Sequence, residues 1–248
     1  MSYDYDRYER QMILPGVGRE GQERLRKAKV LLVGAGGLGS PIAFYLAGAG
    51  IGTLGIVDAD EVSLSNLHRQ IIHEASAVGK NKAQSAKENL MRRNDEVDVR
   101  VYPFMLNGEN ADELMEEYDF VVDAVDNFET RFLINDMCVK KKKPFCHGGI
   151  LGFQGQAMTY VPGQGPCFRC IFEEVPQPGE VSTSREIGVM GPAVGVISCV
   201  QALEVLKYFL GIGELLTGKM YIFDGLTMKT RIASFPHPTE GCKACGHR

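Results

Sequence analysis

The sequence predicts an α/β protein: a Rossmann-like, doubly wound sheet, parallel in its N-terminal half and completed by antiparallel strands in its C-terminal half. Three observations predict it. Val- and Leu-rich runs without polar alternation recur between helix-period segments through residues 1–148, as expected for parallel strands covered on both faces. The first of these runs breaks into a glycine turn, Gly34 to Gly39, that opens a helix. From residue 149 onward the βα units stop, and short strands flanked by turn residues take over. At 248 residues the chain can bury one large core, so it reads as a single domain, 1–248, with halves at 1–148 and 149–248.

In order, a short helix over 20–27 leads to a strand at 29–33. The glycine turn then opens a helix over 38–48, and a second strand at 53–57 ends at Asp58. This is a βαβ unit. An irregular polar segment follows, then a helix over 80–93, a strand at 98–102 and a helix over 111–117. A strand at 120–124 and a helix over 129–139 complete the alternation. Four lysines at 140–143 close that helix, where cations complement the dipole; they read as a solvated helix end rather than a binding patch. Strands at 144–147 and 154–161 come next, the second set off by Gly152 and Gly155. The stretch 173–187, rich in Pro, Glu, Ser and Gly, reads as a mobile loop. An apolar helix begins at Pro192, and strands at 220–223 and 229–234 form an antiparallel pair.

Composition excludes some partners. A formal charge of -4 and a sequence pI near 5.8 leave no basic footprint for nucleic acid or an anionic membrane. The most apolar stretch, 191–211, carries Gln201, Glu204 and Lys207 on one helical face, so it reads as a buried amphipathic helix rather than a membrane span. The polar, acidic beginning of the sequence shows no signal peptide. The protein is expected to be cytoplasmic, with reduced cysteines.

Gly34, Gly36 and Gly39 match G-x-G-x-x-G between strand and helix, with Gly37 inside the turn. Such glycines let a phosphate approach backbone N–H groups at a helix N-terminus. Asp58 sits where a carboxylate accepts from ribose hydroxyls. Together they predict a nucleotide and leave NAD and ATP both open. Arg69 and Lys82 are cations near the same strand ends, suited to clamp a triphosphate, and Asp126 is placed to hold Mg2+ through water. Composition alone leaves the plainer alternatives open: solvated surface charges for Arg69 and Lys82, and a helix N-cap for Asp126.

Cys167-x-x-Cys170 and Cys242-x-x-Cys245 are two knuckles that can place four thiolates around one tetrahedral Zn2+ with no position left open. That predicts a structural site pinning the C-terminal tail to the middle of the chain. A redox dithiol and unliganded thiols are the rivals, and two matched pairs favour zinc. His247 is a spare candidate ligand, although four cysteines suffice. Cys138, Cys146 and Cys199 lie in apolar settings and read as small buried hydrophobes.

The segments RYERQMIL at 7–14, GAGGLGS at 34–40, DADEVSLSNLHRQ at 58–70, GKNKA at 79–83 and DAVDN at 123–127, with both cysteine pairs, resemble the ThiF/MoeB/HesA family. These are bacterial relatives of ubiquitin-activating enzymes, and the similarity runs from about residue 7 to residue 246. The resemblance implies an adenylyltransferase that uses ATP with Mg2+. Its substrate would be the C-terminal glycine carboxylate of a small ubiquitin-like sulfur carrier ending in Gly-Gly, of molybdopterin- or thiazole-biosynthesis type, and pyrophosphate would leave. It puts Gly37 in the nucleotide loop, Asp58 on the ribose, and Asp60 and Asn66 in the surrounding site. Arg69 and Lys82 would hold phosphates and Asp126 the metal, while Arg10 would reach in from the other subunit of a homodimer. The attacking carboxylate is already ionised at neutral pH, so the expected catalytic set, Arg10, Arg69, Lys82 and Asp126, contains no general base.

Many members carry a cysteine just before a G-V-M/V-G-P-x-x-G-V stretch; here STSREIGVMGPAVGV puts Ser184 in that place. A hydroxyl forms neither a persulfide nor an acyl disulfide, so the reaction is expected to stop at the acyl-adenylate. No rhodanese-like extension follows Arg248, and an in-chain sulfur donor is not expected. Two rival functions are an NAD-dependent oxidoreductase on the same loop and a non-catalytic carrier-binding homologue. The first lacks a catalytic constellation, because His68, His73, His147 and His237 are scattered. Against the second stands the intact set of Arg10, Arg69, Lys82 and Asp126. The strands of the second half and the 173–187 loop are expected to select the carrier.

Overall fold

Strand and helix alternate through the N-terminal half of the computed structural model, which describes residues 4–177 and 179–246. A 3-10 turn (Tyr5–Tyr8) and helices α1 (Glu9–Met12) and α2 (Gly18–Lys27) lead into β1 (Lys29–Val33). Then come α3 (Gly39–Gly48), β2 (Thr53–Val57), α4 (Lys82–Arg93), β3 (Asp98–Tyr102) and α5 (Ala111–Glu116). β4 (Phe120–Asp123), α6 (Phe128–Lys141) and β5 (Phe145–Leu151) end the alternation. The second half adds β6 (Gln154–Tyr160), α7 (Phe168–Ile171), α8 (Ser184–Ile187), α9 (Gly191–Leu210), β7 (Lys219–Asp224) and β8 (Lys229–Ser234).

All eight strands share one sheet, in the order β3-β2-β1-β4-β5-β6-β7-β8. The pairs from β3 to β5 are parallel, and those from β5 to β8 antiparallel. The order reverses between β1 and β4, which opens a crevice at their carboxyl ends, the usual ligand position in such sheets. Alternate residues of β1 explain its unbroken apolar run. Val30 and Leu32 face a core built with α3, α4 and α9, while Leu31 and Val33 face one built with α5 and α6.

β5 runs on to Leu151, past the expected end at 147, through Gly148 and Gly149. Space demands the glycine: a Cβ on Gly148 would lie 2.1 Å from Gln201 Oε1 of α9. α9 is long and apolar enough to cross a membrane by composition, and half of its span is buried against the sheet. Its polar face is the inward one. The buried Gln201 donates Nε2–H to the Asp123 carbonyl at 2.8 Å. Buried Glu204 accepts from the Thr159 hydroxyl at 2.5 Å and the Leu216 N–H at 2.7 Å, and pairs with Lys207. Leu203, by contrast, faces out. Of the cysteines expected to be buried, Cys138 and Cys146 are, whereas Cys199 on α9 is partly exposed.

The lysine row does close α6, with Lys142 in the left-handed conformation (φ 52°) as its C-cap. Lys140 and Lys141 pair with Asp112 and Glu116 of α5, so the row is tied to a neighbouring helix rather than simply solvated. The stretch read as a loop at 173–187 ends in α8, opened by a Thr183–Glu186 capping box. It is anchored to the sheet where the Gly152 N–H donates to Gly188 O and the Met190 N–H to Gly152 O.

Candidate functional site

The glycine turn lies in the crevice between β1 and β4. Gly34 has φ +100°, and a Cβ there would sit 2.6 Å from Ala124 O, so only glycine lets the two strand ends meet. A Cβ on Gly39 would be 2.0 Å from Gly34 O, which lets α3 begin hard against the turn. Gly37 abuts Val194 at the start of α9, and Gly36 faces the Gln70 amide. The turn is also held from both sides of Ala35: its N–H donates to Asp58 Oδ2 at 2.8 Å, and its carbonyl lies 2.9 Å from His73 Nε2.

Asp58 takes a second backbone donor, the Asp60 N–H, at 2.9 Å on Oδ1. Each carboxylate oxygen keeps a further lone pair for a ligand hydroxyl. Burial pushes the Asp58 carboxyl up, against the pull of Lys82. Lys82 opens α4 behind the Asn81 cap; it is buried, and its ammonium donates to Asp60 Oδ2 at 2.8 Å. The solvated-charge alternative for Lys82 is therefore wrong. Arg69 is half-buried and donates to Ser65 O at 3.1 Å, while Asn66 closes the capping box of the turn Leu64–Asn66. The N-cap alternative for Asp126 also fails, because Asn127 caps α6 by accepting from Thr130 N–H at 2.8 Å. Asp126 is exposed and makes no hydrogen bond or ion pair among the described residues.

A cavity of about 430 Å³ gathers Asp60, Asn66, Arg69, Lys82 and Asp126, within the size range of small-molecule sites. Gly34, Gly36, Gly37 and Asp58 form the turn and strand end beneath it rather than its lining. Arg10 is not brought there; it is exposed on α1, near exposed Ile13 and Leu14. Among the lining residues to which the sequence assigns no role, Ser184 and Gln70 bear on the chemistry. Ser184, which stands where relatives carry a cysteine, lines the cavity with Gly188 and Val189. Gln70 is buried, and its Oε1 has no hydrogen-bond partner among the described residues. Its only sequence signal was its place beside Arg69, since an uncharged amide carries no hint of a ligand.

On the far face of the sheet, Cys167, Cys170, Cys242 and Cys245 converge, their sulfurs all within 4.8 Å of one another. The separations of the neighbouring pairs are 3.5–3.8 Å. This four-sulfur cluster can hold one metal ion. Burial raises the Cys167 thiol and lifts Cys245 to about 11. Cys242 goes the other way, its burial outweighed by the backbone N–H groups of Cys245 and Ala244. Mutual repulsion nonetheless makes four adjacent thiolates unfavourable unless a cation compensates. His247 lies outside the described residues.

The ThiF family profile matches residues 8–244. The chain belongs to the ThiF family. It is 45% identical over 239 residues to the adenylyltransferase and sulfurtransferase MOCS3 of Culex quinquefasciatus, covering 96% of this chain and 55% of that protein. The sulfur carrier protein adenylyltransferase of Thermus thermophilus is 45% identical over 248 residues, covering 98% of this chain and 91% of that one. The chain thus spans about half the length of the MOCS3 relative and nearly all of the bacterial one. A crystal structure of E. coli MccB with ATP superposes with TM-score 0.79 at 25% identity, over 92% of this chain and 69% of that one. The Rossmann-type sheet with an antiparallel C-terminal portion is accordingly that of this family.

Proposed function

We propose that this ThiF family member is an adenylyltransferase that activates the C-terminal carboxylate of a ubiquitin-like sulfur carrier with ATP. The observation that carries the reading is the convergence of Arg69, Lys82 and Asp126 on one cavity above the glycine turn and Asp58. In the reaction a carboxylate oxygen forms a bond to the α-phosphorus, the bond from that phosphorus to the bridging oxygen breaks, and pyrophosphate leaves with its electrons. Asp58 would orient the ribose, the backbone of the glycine turn would approach the phosphates, and Arg69 and Lys82 would hold the charge that gathers on the leaving group. Asp126, exposed and unpaired, fits a water-bridged Mg2+, which when bound with ATP neutralises its phosphates. Two cations face Asp60, Glu61 and Asp126 in the single chain. That balance favours a further cation from a second copy, and exposed Arg10 in a homodimer would supply it.

Zn2+ is the ion we assign to the cysteine cluster: sulfur separations of 3.5–3.8 Å match the edge, roughly 3.8 Å, of a tetrahedron with Zn–S bonds near 2.3 Å. Ser184 in the cavity wall supports a reaction that ends at the acyl-adenylate, with sulfur supplied elsewhere. The test is ATP–pyrophosphate exchange against carriers with a Gly-Gly terminus, alongside titration with ATP·Mg2+ and with NADH. Carrier-dependent exchange and selective ATP binding are expected. Binding of NADH in preference to ATP, or exchange indifferent to every carrier, would sink the reading.

A further inference from the structure

Beneath Asp126 lies a buried charge cluster that the reaction does not use. Asp123, the last residue of β4, is fully enclosed. It accepts from His147 Nδ1–H at 2.7 Å and Arg131 Nε–H at 3.2 Å on Oδ2, and from the Val125 N–H at 3.1 Å on Oδ1. Arg131, in the first turns of α6, sends Nη2–H to the Val125 carbonyl at 2.8 Å and to Gly148 O at 3.3 Å. Val125 is therefore gripped at both its N–H and its carbonyl, by the two halves of one ion pair. The next residue is Asp126.

An ion pair this enclosed is a poor way to gain stability, since desolvation offsets most of its attraction. Burial alone would raise the Asp123 carboxyl, yet Arg131 and His147 hold it below the usual carboxylate range, so the pair is charged as drawn. Its geometric effect is specific. It fixes the two peptide units on either side of Val125, the second of which leads into Asp126, and through Gly148 it ties that turn to β5. β5 leads on to Gly152, which anchors the opposite cavity wall at Gly188 and Met190.

We infer that Arg131 and Asp123 are positioning residues: their buried pair holds the Val125 peptide so that Asp126 meets the metal of the bound nucleotide. The inference rests on the proposed role of Asp126, and the experiment separates the two. Calorimetric titration with ATP, in excess Mg2+ and in chelator, gives the factor by which the metal tightens binding. Arg131→Lys keeps the charge but loses the fork that spans Asp123 and Val125; the double change Asp123→Leu with Arg131→Met removes both charges and keeps the volume filled. Both should shrink the metal-dependent factor by about tenfold, as lost outer-sphere partners do elsewhere. Binding of metal-free ATP should stay within about twofold of the original, with a cooperative melt retained. Asp126→Ala is the reference and should abolish the factor. If Asp126→Ala abolishes it while both clamp variants retain it, the positioning role is overturned and the role of Asp126 stands. If Asp126→Ala also retains it, the underlying reading fails and takes the clamp with it. Failure of both clamp variants to fold would show the pair to be purely structural, and would overturn the inference too.

Discussion

The two chemical centres of this molecule differ in how completely their groups are satisfied. The cavity over the glycine turn keeps polar groups unpaired: among the described residues Asp126 has no partner and the Gln70 Oε1 is enclosed without one. The cysteine cluster is closed, with four sulfurs facing one another and no open place for a substrate. The enclosed Gln70 oxygen costs stability, whereas the exposed Asp126 carboxylate is hydrated; a protein retains an enclosed unpaired group where a ligand will complete it. Saturated coordination costs nothing of that kind and serves to hold two distant segments together.

The largest test of this contrast is metal removal. If the cluster holds the proposed Zn2+, a chelator, or Cys242→Ser, should lower the melting temperature by about 10 °C or more and open the 235–246 segment to protease. An unchanged melt would mean that the cluster holds nothing. Next in size, Arg69→Ala and Asp126→Ala should each slow carrier-dependent exchange by about 10²- to 10³-fold while the melt stays put. A large drop in stability would place them with the closed centre instead. Gln70→Leu should act in the opposite sense on the two properties, raising stability by about 1 kcal/mol by removing an unsatisfied amide and weakening ATP binding. Weaker binding without the stability gain would show that the amide has a partner after all.

The smallest effect concerns Asp58. Because burial raises its carboxyl in the folded protein, its favourable contribution is complete below the ordinary carboxylate range and is lost as pH rises through the raised value. Asp58→Asn turns an amide NH2 toward one of the two backbone donors and so loses a hydrogen bond at every pH, but its stability relative to the parent should improve as pH rises from 3 to 7, and it should bind nucleotide less well. Parallel stability–pH curves for the two proteins would refute this.

Much of this was legible in the sequence, for identifiable reasons. β1 and β2 begin and end where apolar patterning puts them, because strands covered on both faces carry their burial in nearly every residue; the edge strands β3 and β8 also match their expected bounds, although much of each is exposed or half-buried. The end of β5 was not legible: Gly148 looks like a breaker until Gln201 is seen pressing on it. The inverted face of α9 escaped for a related reason, since polar residues at helical spacing do not announce whether water or a carbonyl will satisfy them. α7 and α8, four residues each, are too short for periodicity to register. In the site, Arg69, Lys82 and Asp126 stood out by charge and place. Arg131 did not, because its partner Asp123 sits across a turn that only the folded chain closes.

The cysteine cluster also sets an order of assembly on a chain that emerges from the ribosome N-terminus first. Every cavity residue, up to Val189, has been synthesised before Cys242 and Cys245 appear. The nucleotide crevice can thus take shape while the metal knot is still untied. With Zn2+ as the proposed ion, its capture would be a late checkpoint, which a metal-starved cell would fail after most of the protein had already been made.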